Sequence, residues 1–385
     1  MYQLTKEELE KMGAGITTKE IKQQPELWLE TKDIYQEKKE DIANFLDKVT
    51  QAVEGKVRVI FTGAGTSQYV GDTVKPYLNE NGDDRFYFES IGTTDIVSAP
   101  LDFLRAEEPT VLVSFARSGN SPESLATVEI ANEIVDTIFH ISITCAPEGK
   151  LAQQAKGDDK TLLLLMPSGA NDQGFAMTGS FSCMSLMSLM VFDQNYDENW
   201  VSEMVTLGHE AIEREAEIQK IVDLDFNRVV YLGSGALSGL TREASLKILE
   251  LTAGKIATVF DSSMGFRHGP KSFLDEKTLF FTFVNNNAYT KQYDLDILQE
   301  VFEDGIAESV VAIGQAETVE AFAGGKFAFK DSDILLPDAY AALPFLMVAQ
   351  TVSLLSSIKV GNTPDTPSPT GTVNRVVKGV TIHKF

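Results

Sequence analysis

An amine and a carboxylate three residues apart are the first groups in this sequence whose spacing suits chemistry. Lys247 and Glu250 lie in the run ASLKILEL, where residues three apart share one face of a helix. Glu250 falls in the predicted last turn, before a helix-ending Gly254, where the helix dipole and apolar neighbours disfavour its charged form. Such a carboxylate suits a general base near neutral pH. A surface ion pair with Lys247 is the alternative.

Two turns rich in hydroxyl groups and glycine form the second candidate cluster. In FTGAGTSQ, Gly65 ends a turn after a strand, and Thr66 and Ser67 open a helix. In ARSGNSPE the corresponding residues are Arg117, Ser118, Gly119, Asn120 and Ser121. Each hydroxyl alone could be an ordinary N-cap, but two such helix N-termini after neighbouring parallel strands favour a cup for one phosphate dianion. The second half has only Asn285–Asn287 at the matching place, so one phosphate site is expected.

The same glycine turns also permit a dinucleotide site. Gly63-x-Gly65-x-x-Gln68 and the later Gly233-x-Gly235-x-x-Ser238 both lack the third glycine of the Rossmann fingerprint. Glu89, at the end of the next strand, could still bind a ribose. We therefore keep a nicotinamide-dependent oxidoreductase as the weakest alternative.

Composition excludes several classes of partner. The 385 residues include 33 Lys+Arg and 56 Asp+Glu, a net charge of −23, which argues against nucleic-acid or anionic-membrane surfaces. A phosphorylated substrate would be repelled by that field, so local dipoles and hydrogen bonds must hold it. Cys145 and Cys183 indicate neither a disulfide framework nor a thiolate metal site, and no metal or cofactor is expected. With no signal peptide and no apolar run near 20 residues, a cytoplasmic protein with no membrane partner is expected.

The elements that must position these residues repeat along the chain. Strand-like runs alternate with helical patterns, which predicts parallel sheets covered by helices. The run RVVYLGSG restarts the pattern of the first strand and its glycine turn, so two similar three-layer α/β domains in tandem are predicted. The expected organisation is a helical segment at 1–50, a phosphate-binding domain at 51–200, a domain with the catalytic base at 201–360, and a tail at 361–385 that closes the site.

The two hydroxyl-rich turns resemble a known family signature. FTGAGTSQYVG and SFARSGNSPES are similar to the phosphate loops of sugar isomerase (SIS) domains, which have a flavodoxin-like fold. The tandem, over about residues 50–385, resembles the isomerase half of glucosamine-6-phosphate synthase. It more closely resembles the tagatose-6-phosphate ketose/aldose isomerase or galactosamine-6-phosphate deaminase family. One departure is Ala116, where the synthase has a phosphate-binding serine; Arg117 could compensate by its charge or could point to solvent.

The resemblance also implies roles for residues of the second half. It gives Glu250 the proton transfer of enolisation and Lys247 a supporting role at the sugar oxygens. His268, in GFRHGP, would open the sugar ring from the partner subunit, which makes a homodimer necessary for activity. Lys378, in NRVVKGV, would close the substrate pocket. The alternatives are an ordinary histidine and a solvated tail lysine.

The reaction implied is isomerisation of a hexosamine or ketohexose 6-phosphate. An amino sugar isomerised at C1 and C2 becomes a ketose imine, which water hydrolyses to a ketose phosphate and ammonia. Only about 55 residues precede the first strand and no N-terminal cysteine is present, so we expect no glutaminase that would drive the reverse reaction. The expected activity is conversion of galactosamine 6-phosphate to tagatose 6-phosphate and ammonia. Simple tagatose-6-phosphate isomerisation and a non-catalytic sugar-phosphate sensor remain alternatives.

Overall fold

Two parallel β-sheets organise the part of the chain that the computed structural model describes, residues 1–377 and 379–385. Each sheet belongs to a separate unit of the chain. The first unit comprises Leu27–Asp172, Gly179–Asp197 and Asn374–Phe385. The second unit comprises Met1–Glu26, Gln173–Thr178 and Glu198–Val373. The helical segment at the start of the chain and the tail at its end are therefore each divided between the two units.

The sheet of the first unit has five strands within the described residues, and every neighbouring pair is parallel. Its strands are β1 (Val57–Thr62), β2 (Phe86–Ser90), β3 (Thr110–Ala116), β4 (Ile138–Thr144) and β5 (Thr161–Leu165). Their order is β2-β1-β3-β4-β5. All residues of β1, β3 and β4 are buried, which explains why these runs are nearly continuous in apolar residues.

The second unit repeats this arrangement. Its strands are β6 (Arg228–Gly233), β7 (Ala257–Ser262), β8 (Thr278–Phe283), β9 (Ser309–Gln315) and β10 (Gly325–Phe329). They are also parallel, in the order β7-β6-β8-β9-β10, which matches the first sheet strand for strand. This 2-1-3-4-5 order is that of flavodoxin-like folds, so the expectation of two similar α/β domains in tandem is confirmed.

The helices cover the sheets and connect their strands. In chain order they are α1 (Lys6–Lys11), α2 (Gly15–Lys22), α3 (Gln24–Gln51), α4 (Thr66–Asn81), α5 (Thr93–Ser98), α6 (Pro100–Phe103), α7 (Pro122–Ile134), α8 (Lys150–Ala155), α9 (Gly179–Phe192), α10 (Glu198–Glu213), α11 (Glu215–Val222), α12 (Ala236–Leu251), α13 (Thr290–Asp304), α14 (Ala316–Val319) and α15 (Asp338–Lys359). Short 3₁₀ turns span Ser168–Ala170, Gly265–His268 and Pro270–Phe273.

Helix α15 is the long apolar helix that the sequence predicts over about residues 339–358, and it is long enough to bear on the expectation of no apolar run near 20 residues. Its 22 residues and a mean hydropathy of 1.7 over 18 of them would suffice to cross a membrane. Nearly all of that stretch is buried inside the structure, and α15 packs against α10, α11 and α12 of its own unit. A central helix of a folded domain has the same apolar character on every side. We therefore interpret α15 as the core helix of the second unit.

Strand β10 was not expected from the sequence. It is a short edge strand, GKFAF, that begins at the second of two adjacent glycines and has two exposed residues at its start. Glycine and lysine are depleted in strands, so the pattern alone favours a loop there. Pairing with β9 over Gly325–Phe329 overrides that local preference.

Candidate phosphate loops and carboxylate pocket

The first candidate phosphate loop joins β1 to α4. Gly65 is the residue before the helix and has φ 57° and ψ −129°, a conformation that a residue with a Cβ rarely adopts. A Cβ on Gly63 would lie 2.5 Å from the Ser67 carbonyl carbon, so the turn also needs glycine at that position. Thr66 and Ser67 lie buried in the first helical turn. The loop thus places two buried hydroxyl groups at a helix N-terminus, where the helix dipole favours an anion.

The second candidate loop joins β3 to α7. Gly119 has φ +64°, and Ser121 is the N-cap residue before Pro122. Within the described chain, the Ser121 side chain makes no hydrogen bond that caps α7. The ordinary N-cap explanation therefore does not account for its hydroxyl group.

Both loops follow strands that are neighbours in the sheet. Thr62 pairs with Ser114, so β1 and β3 end at the same edge of the first unit. Strand β2 lies on one side of β1 and strand β3 lies on the other, so the strand order reverses direction at β1. The carboxyl edge of the sheet at this place is therefore a topological switch point. Ligands of open parallel sheets bind at the carboxyl ends of strands at such a point.

Two residues of the second loop have structural partners. The Oδ1 atom of Asn120 accepts the backbone N–H of Lys150 at 3.1 Å, which fixes the start of α8. Arg117 is only 6% exposed and donates from Nη2 to the carbonyl oxygen of Arg375 at 2.6 Å. The alternative that Arg117 points to solvent is therefore wrong. Its buried charge holds the beginning of the tail segment of the first unit.

The corresponding turn of the second unit is filled by a carboxylate. Gly235 has φ 57° and ψ −128°, nearly the same values as Gly65. Beside it, the carboxylate of Asp294 accepts the hydroxyl groups of Ser234 and Ser263 at 2.6 and 2.5 Å. It also accepts the backbone and side-chain N–H groups of Asn285 at 3.0 and 2.7 Å. The hydroxyl and N–H groups that could bind a phosphate here already bind the carboxylate of Asp294. This arrangement supports the expectation of a single phosphate site.

The end of α12 differs from the expectation that Gly254 ends the helix. The helix ends at Leu251, and Ala253 has φ 52°, the one positive φ of a residue other than glycine in the described chain. Its N–H donates to the carbonyl of Glu250 at 3.2 Å, and Gly254 N–H donates to that of Leu249 at 2.9 Å. This pair of bonds is a Schellman motif, in which glycine normally occupies the position of Ala253.

The Lys247–Glu250 ion pair exists, but it is not the surface pair of the alternative. Lys247 Nζ lies 2.5 Å from Glu250 Oε2 and 3.3 Å from Glu243 Oε1. The side chains of Lys247 and Glu243 are fully buried, whereas that of Glu250 is 22% exposed. Burial alone would lower the pKa of Lys247, but the two carboxylates outweigh burial and raise it. A permanent buried ammonium therefore orients the Glu250 carboxylate.

Glu250 lines a pocket of about 360 Å³ within the second unit. One wall is the end of α12, and the opposite walls come from Phe175 and from the segment 367–373. The lining residues are Phe175, Leu249, Glu250, Ala253, Pro367, Ser368, Pro369, Thr370, Thr372 and Val373. The pocket thus offers one carboxylate and three hydroxyl groups among apolar surfaces, which is a common composition for a small-molecule site.

The remaining predicted residues lie elsewhere. His268 is exposed at the end of the Gly265–His268 turn that follows β7. Lys378 lies outside the described residues. Glu243 was not singled out in the sequence, although its position four residues before Lys247 places both on one helix face. Among the described residues, no three His, Cys, Asp or Glu side chains are grouped as metal ligands.

Comparisons with known proteins agree with these features. The SIS domain family model matches residues 53–192. D-galactosamine-6-phosphate deaminase AgaS of Escherichia coli is 42% identical, with 96% of each chain covered. A solved structure from Clostridium novyi NT is 43% identical with a TM-score of 0.93, covering 100% of this chain and 99% of the other. The structure of tagatose-6-phosphate ketose/aldose isomerase from Escherichia coli is 39% identical with a TM-score of 0.86, covering 96% of each. The chain belongs to the AgaS family of SIS-domain enzymes that act on sugar phosphates.

Proposed function

We propose that this chain is an amino-sugar-phosphate deaminase that converts galactosamine 6-phosphate to tagatose 6-phosphate and ammonia. The AgaS relatives that carry the deaminase name match nearly the whole chain. One observation carries the proposal: the partly exposed Glu250 carboxylate lines a pocket while buried Lys247 holds one of its oxygens. A carboxylate placed in this way can move a substrate proton, a function that a mere binding protein would not need.

The two loops of the first unit are the proposed phosphate site. Thr66 and Ser67 would donate from one helix N-terminus, and Ser118 and Ser121 from the other. The glycines at 65 and 119 let the backbone N–H groups approach the phosphate closely. Arg117 contributes a buried positive charge beside the second loop, where Ala116 replaces the serine of the synthase. Asn120 keeps that loop in place through its bond to α8.

The proposed chemistry is a proton transfer between neighbouring carbons. After ring opening, Glu250 removes the proton from C2 of the amino aldose, and the electron pair forms an enolamine between C1 and C2 as the C1 oxygen takes up a proton from solvent. The nitrogen gives a proton back to solvent when the imine forms in the next step. Lys247 is fully buried and acts through Glu250, because its ammonium holds the carboxylate in a fixed orientation at the pocket. Return of the proton to C1 gives the imine of the ketose. Water then adds to C2 and ammonia leaves, so that tagatose 6-phosphate remains.

We further propose a homodimer in which His268 of one subunit opens the sugar ring in the site of the other. Strand β7 is an edge strand of its sheet, and Phe260 on it is 45% exposed. Met264, in the turn that leads to His268, is 49% exposed. An exposed apolar edge of this kind commonly pairs with another chain. The role proposed for Lys378 is to close the pocket once the sugar is bound.

Mixing two inactive variants tests the shared site. Glu250→Gln and His268→Ala each remove a different group, so mixed dimers would regain one complete site if His268 acts across the interface. A one-to-one mixture should recover about a quarter of wild-type activity, since half of the dimers are mixed and each has one intact site. A monomer in light scattering, or mixed dimers without activity, would refute this part of the proposal.

A second candidate is tagatose-6-phosphate ketose/aldose isomerisation without deamination. A structural relative at 39% identity carries that name, and both reactions need the same base and phosphate loops. The two reactions differ in whether C2 of the substrate carries an amino group. A non-catalytic sensor would leave Glu250 and His268 without a role.

One assay separates these candidates. Ammonia and ketose phosphate are measured together on galactosamine 6-phosphate, glucosamine 6-phosphate and tagatose 6-phosphate. The proposal expects equal amounts of ammonia and ketose phosphate from galactosamine 6-phosphate. Aldose formation from tagatose 6-phosphate without any release of ammonia from the amino sugars would favour the isomerase. No reaction with any of the three would favour the sensor.

We propose a cytoplasmic location. A phosphorylated sugar is charged and does not cross the membrane unaided, so an enzyme that consumes it acts in the compartment where it is made. Both cysteines, Cys145 and Cys183, are buried free thiols, as is usual in a reducing compartment. Cell fractionation with an antibody against the chain tests this location.

A further inference from the structure

The walls of the Glu250 pocket that face α12 come from irregular chain, which must be held by other parts of the second unit. We call residues 361–373 the strap, because they run along the pocket after α15 ends. The strap begins beside the base: Asn362 Nδ2 donates to the carbonyl of Leu251 at 2.8 Å. Its later residues, from Pro367 onward, form one wall of the pocket. Their position therefore sets the width of the space in front of Glu250.

The middle of the strap is fixed to the first turn of α2. Asp365 accepts the backbone N–H groups of Ile16 and Thr17 at 3.0 and 2.7 Å. The residue before α2 is Ala14, which has no side-chain acceptor, so Asp365 acts as the N-cap from a distant part of the chain. The N–H of Asp365 also donates to the carbonyl of Gly13 at 2.8 Å. The two segments approach each other closely at Gly13, since a Cβ there would lie 3.0 Å from Thr363 Cβ.

The same helix holds the other irregular wall. Glu20, in the middle of α2, is 5% exposed. Its carboxylate accepts the backbone N–H groups of Gln173 and Gly174, the latter at 3.2 Å. These residues lead directly to Phe175, which lines the pocket. Two separate segments that face the base are thus held by hydrogen bonds between a carboxylate and α2. In one case the carboxylate lies on the strap, and in the other it lies on α2 itself.

Helix α2 is itself fixed to the core of the second unit at both ends. Before it, the buried Tyr2 hydroxyl lies 2.7 Å from Thr351 Oγ1 of α15. After it, Gln24 Nε2 donates to Gln350 Oε1 of the same helix at 2.6 Å. Because α15 is buried along nearly its whole length, it provides a rigid support for α2.

We propose that α2 is the positioning element of the Glu250 pocket, and that Asp365 and Glu20 are positioning residues that hold its two irregular walls. The inference rests on the proposed function, since it assigns the pocket to the sugar. It gives α2, one of the N-terminal helices, a role in substrate binding rather than only in stability. Separation of Asp365 from α2 frees the strap, and the substrate must then order it again on binding, which weakens binding.

Three variants test this role. Asp365→Ala removes the bonds to α2, Asp365→Asn keeps one acceptor oxygen, and Glu20→Ala frees the other wall. The control is Thr5→Ala, which removes the N-cap of α1 in the same N-terminal segment but contacts neither wall. Backbone hydrogen exchange is measured without substrate, and KM and kcat are measured with galactosamine 6-phosphate.

We expect Asp365→Ala to exchange faster in residues 361–373 and to raise KM by about tenfold or more, with a smaller change in kcat. Asp365→Asn should bring KM back close to the wild-type value. Glu20→Ala should speed hydrogen exchange in residues 173–178 rather than in the strap. Unchanged exchange and KM in Asp365→Ala, or equal effects in Thr5→Ala, would overturn the inference. If the wild-type protein turns over no sugar phosphate, the proposed function fails, and the exchange measurement alone still decides whether α2 holds the strap.

Discussion

The ammonium of Lys247 lies 2.5 Å from Oε2 of Glu250, and the two side chains differ sharply in exposure. Lys247 is fully buried, whereas the carboxylate reaches the pocket. A buried ammonium on one oxygen keeps the carboxylate in one orientation, and the other oxygen is left for the substrate in the proposed mechanism. Glu243 supplies the second negative partner, which allows Lys247 to remain charged without contact with water.

Removal of Lys247 alone should destabilise the protein strongly. Lys247→Met leaves the fully buried Glu243 carboxylate without its counter-charge, at a cost of about 3–5 kcal/mol in the free energy of unfolding. The double variant Glu243→Gln/Lys247→Met removes both buried charges and should recover most of that loss. Urea denaturation measures the free energy of unfolding of the single and the double variant. If the double variant is as unstable as Lys247→Met, the buried charge is not the cause.

Substitution of His140 should change the acid stability of the first unit. His140 is 6% exposed, and burial lowers its pKa to about 4 from 6.5. Since the unfolded chain binds the proton more readily, the folded state loses about 3 kcal/mol as pH falls from 6.5 to 4. His140→Gln does not titrate there, so its stability relative to the wild type should rise across that window. A difference that stays constant between pH 7 and pH 4 would contradict this account.

Loss of loop hydroxyl groups should weaken binding of the phosphate. Ser67→Ala and Ser121→Ala each remove one proposed hydrogen bond to a charged group, worth about 1.5–3 kcal/mol, so KM should rise about 10- to 100-fold. The control Ser98→Ala removes an exposed hydroxyl that donates to the carbonyl of Asp95 at 3.2 Å. Steady-state kinetics on galactosamine 6-phosphate give the comparison. Wild-type KM values for both loop variants would remove the two loops from the phosphate site.

Glycine in place of Ala253 should stabilise the second unit. Ala253 has φ 52°, and a side chain in the left-handed region costs about 1–2 kcal/mol. Ala253→Gly removes this strain, but the greater conformational freedom of glycine in the unfolded chain offsets part of the benefit. The free energy of unfolding should therefore increase by about 0.5–1 kcal/mol. Thermal and urea unfolding measure the change. A loss of stability would mean that the methyl group, which lines the pocket, makes contacts worth more than the strain.

Much of this architecture could be predicted because both sheets are parallel and buried. Continuous apolar strands, glycine turns and intervening helices repeat in the same order in both halves, and that order alone indicates the fold. Strand β10 could not be predicted, because its glycine and lysine favour a loop and only pairing with β9 makes it a strand. The sequence predicts that Gly254 ends α12, but the alanine before it takes the left-handed position.

Candidate site residues were predictable by type, but their partners were not. The sequence spacing pairs Lys247 with Glu250, yet it does not indicate that the lysine is buried or that Glu243 shares it. The bonds of Asp365 to α2 join residues nearly 350 positions apart, and no local pattern reveals them. The carboxylate of Asp294 in the second glycine turn is likewise a tertiary feature.

The variant Glu250→Gln tests the central claim most directly, because it removes the proton acceptor and leaves the shape of the pocket nearly unchanged. Ammonia release from galactosamine 6-phosphate and calorimetric binding of the same compound are measured on the variant and on the wild type. We expect turnover to fall by about 10²- to 10⁴-fold while binding of the sugar phosphate stays within a few-fold of wild type. Turnover by Glu250→Gln at the wild-type rate would show that another group moves the proton and would contradict the account.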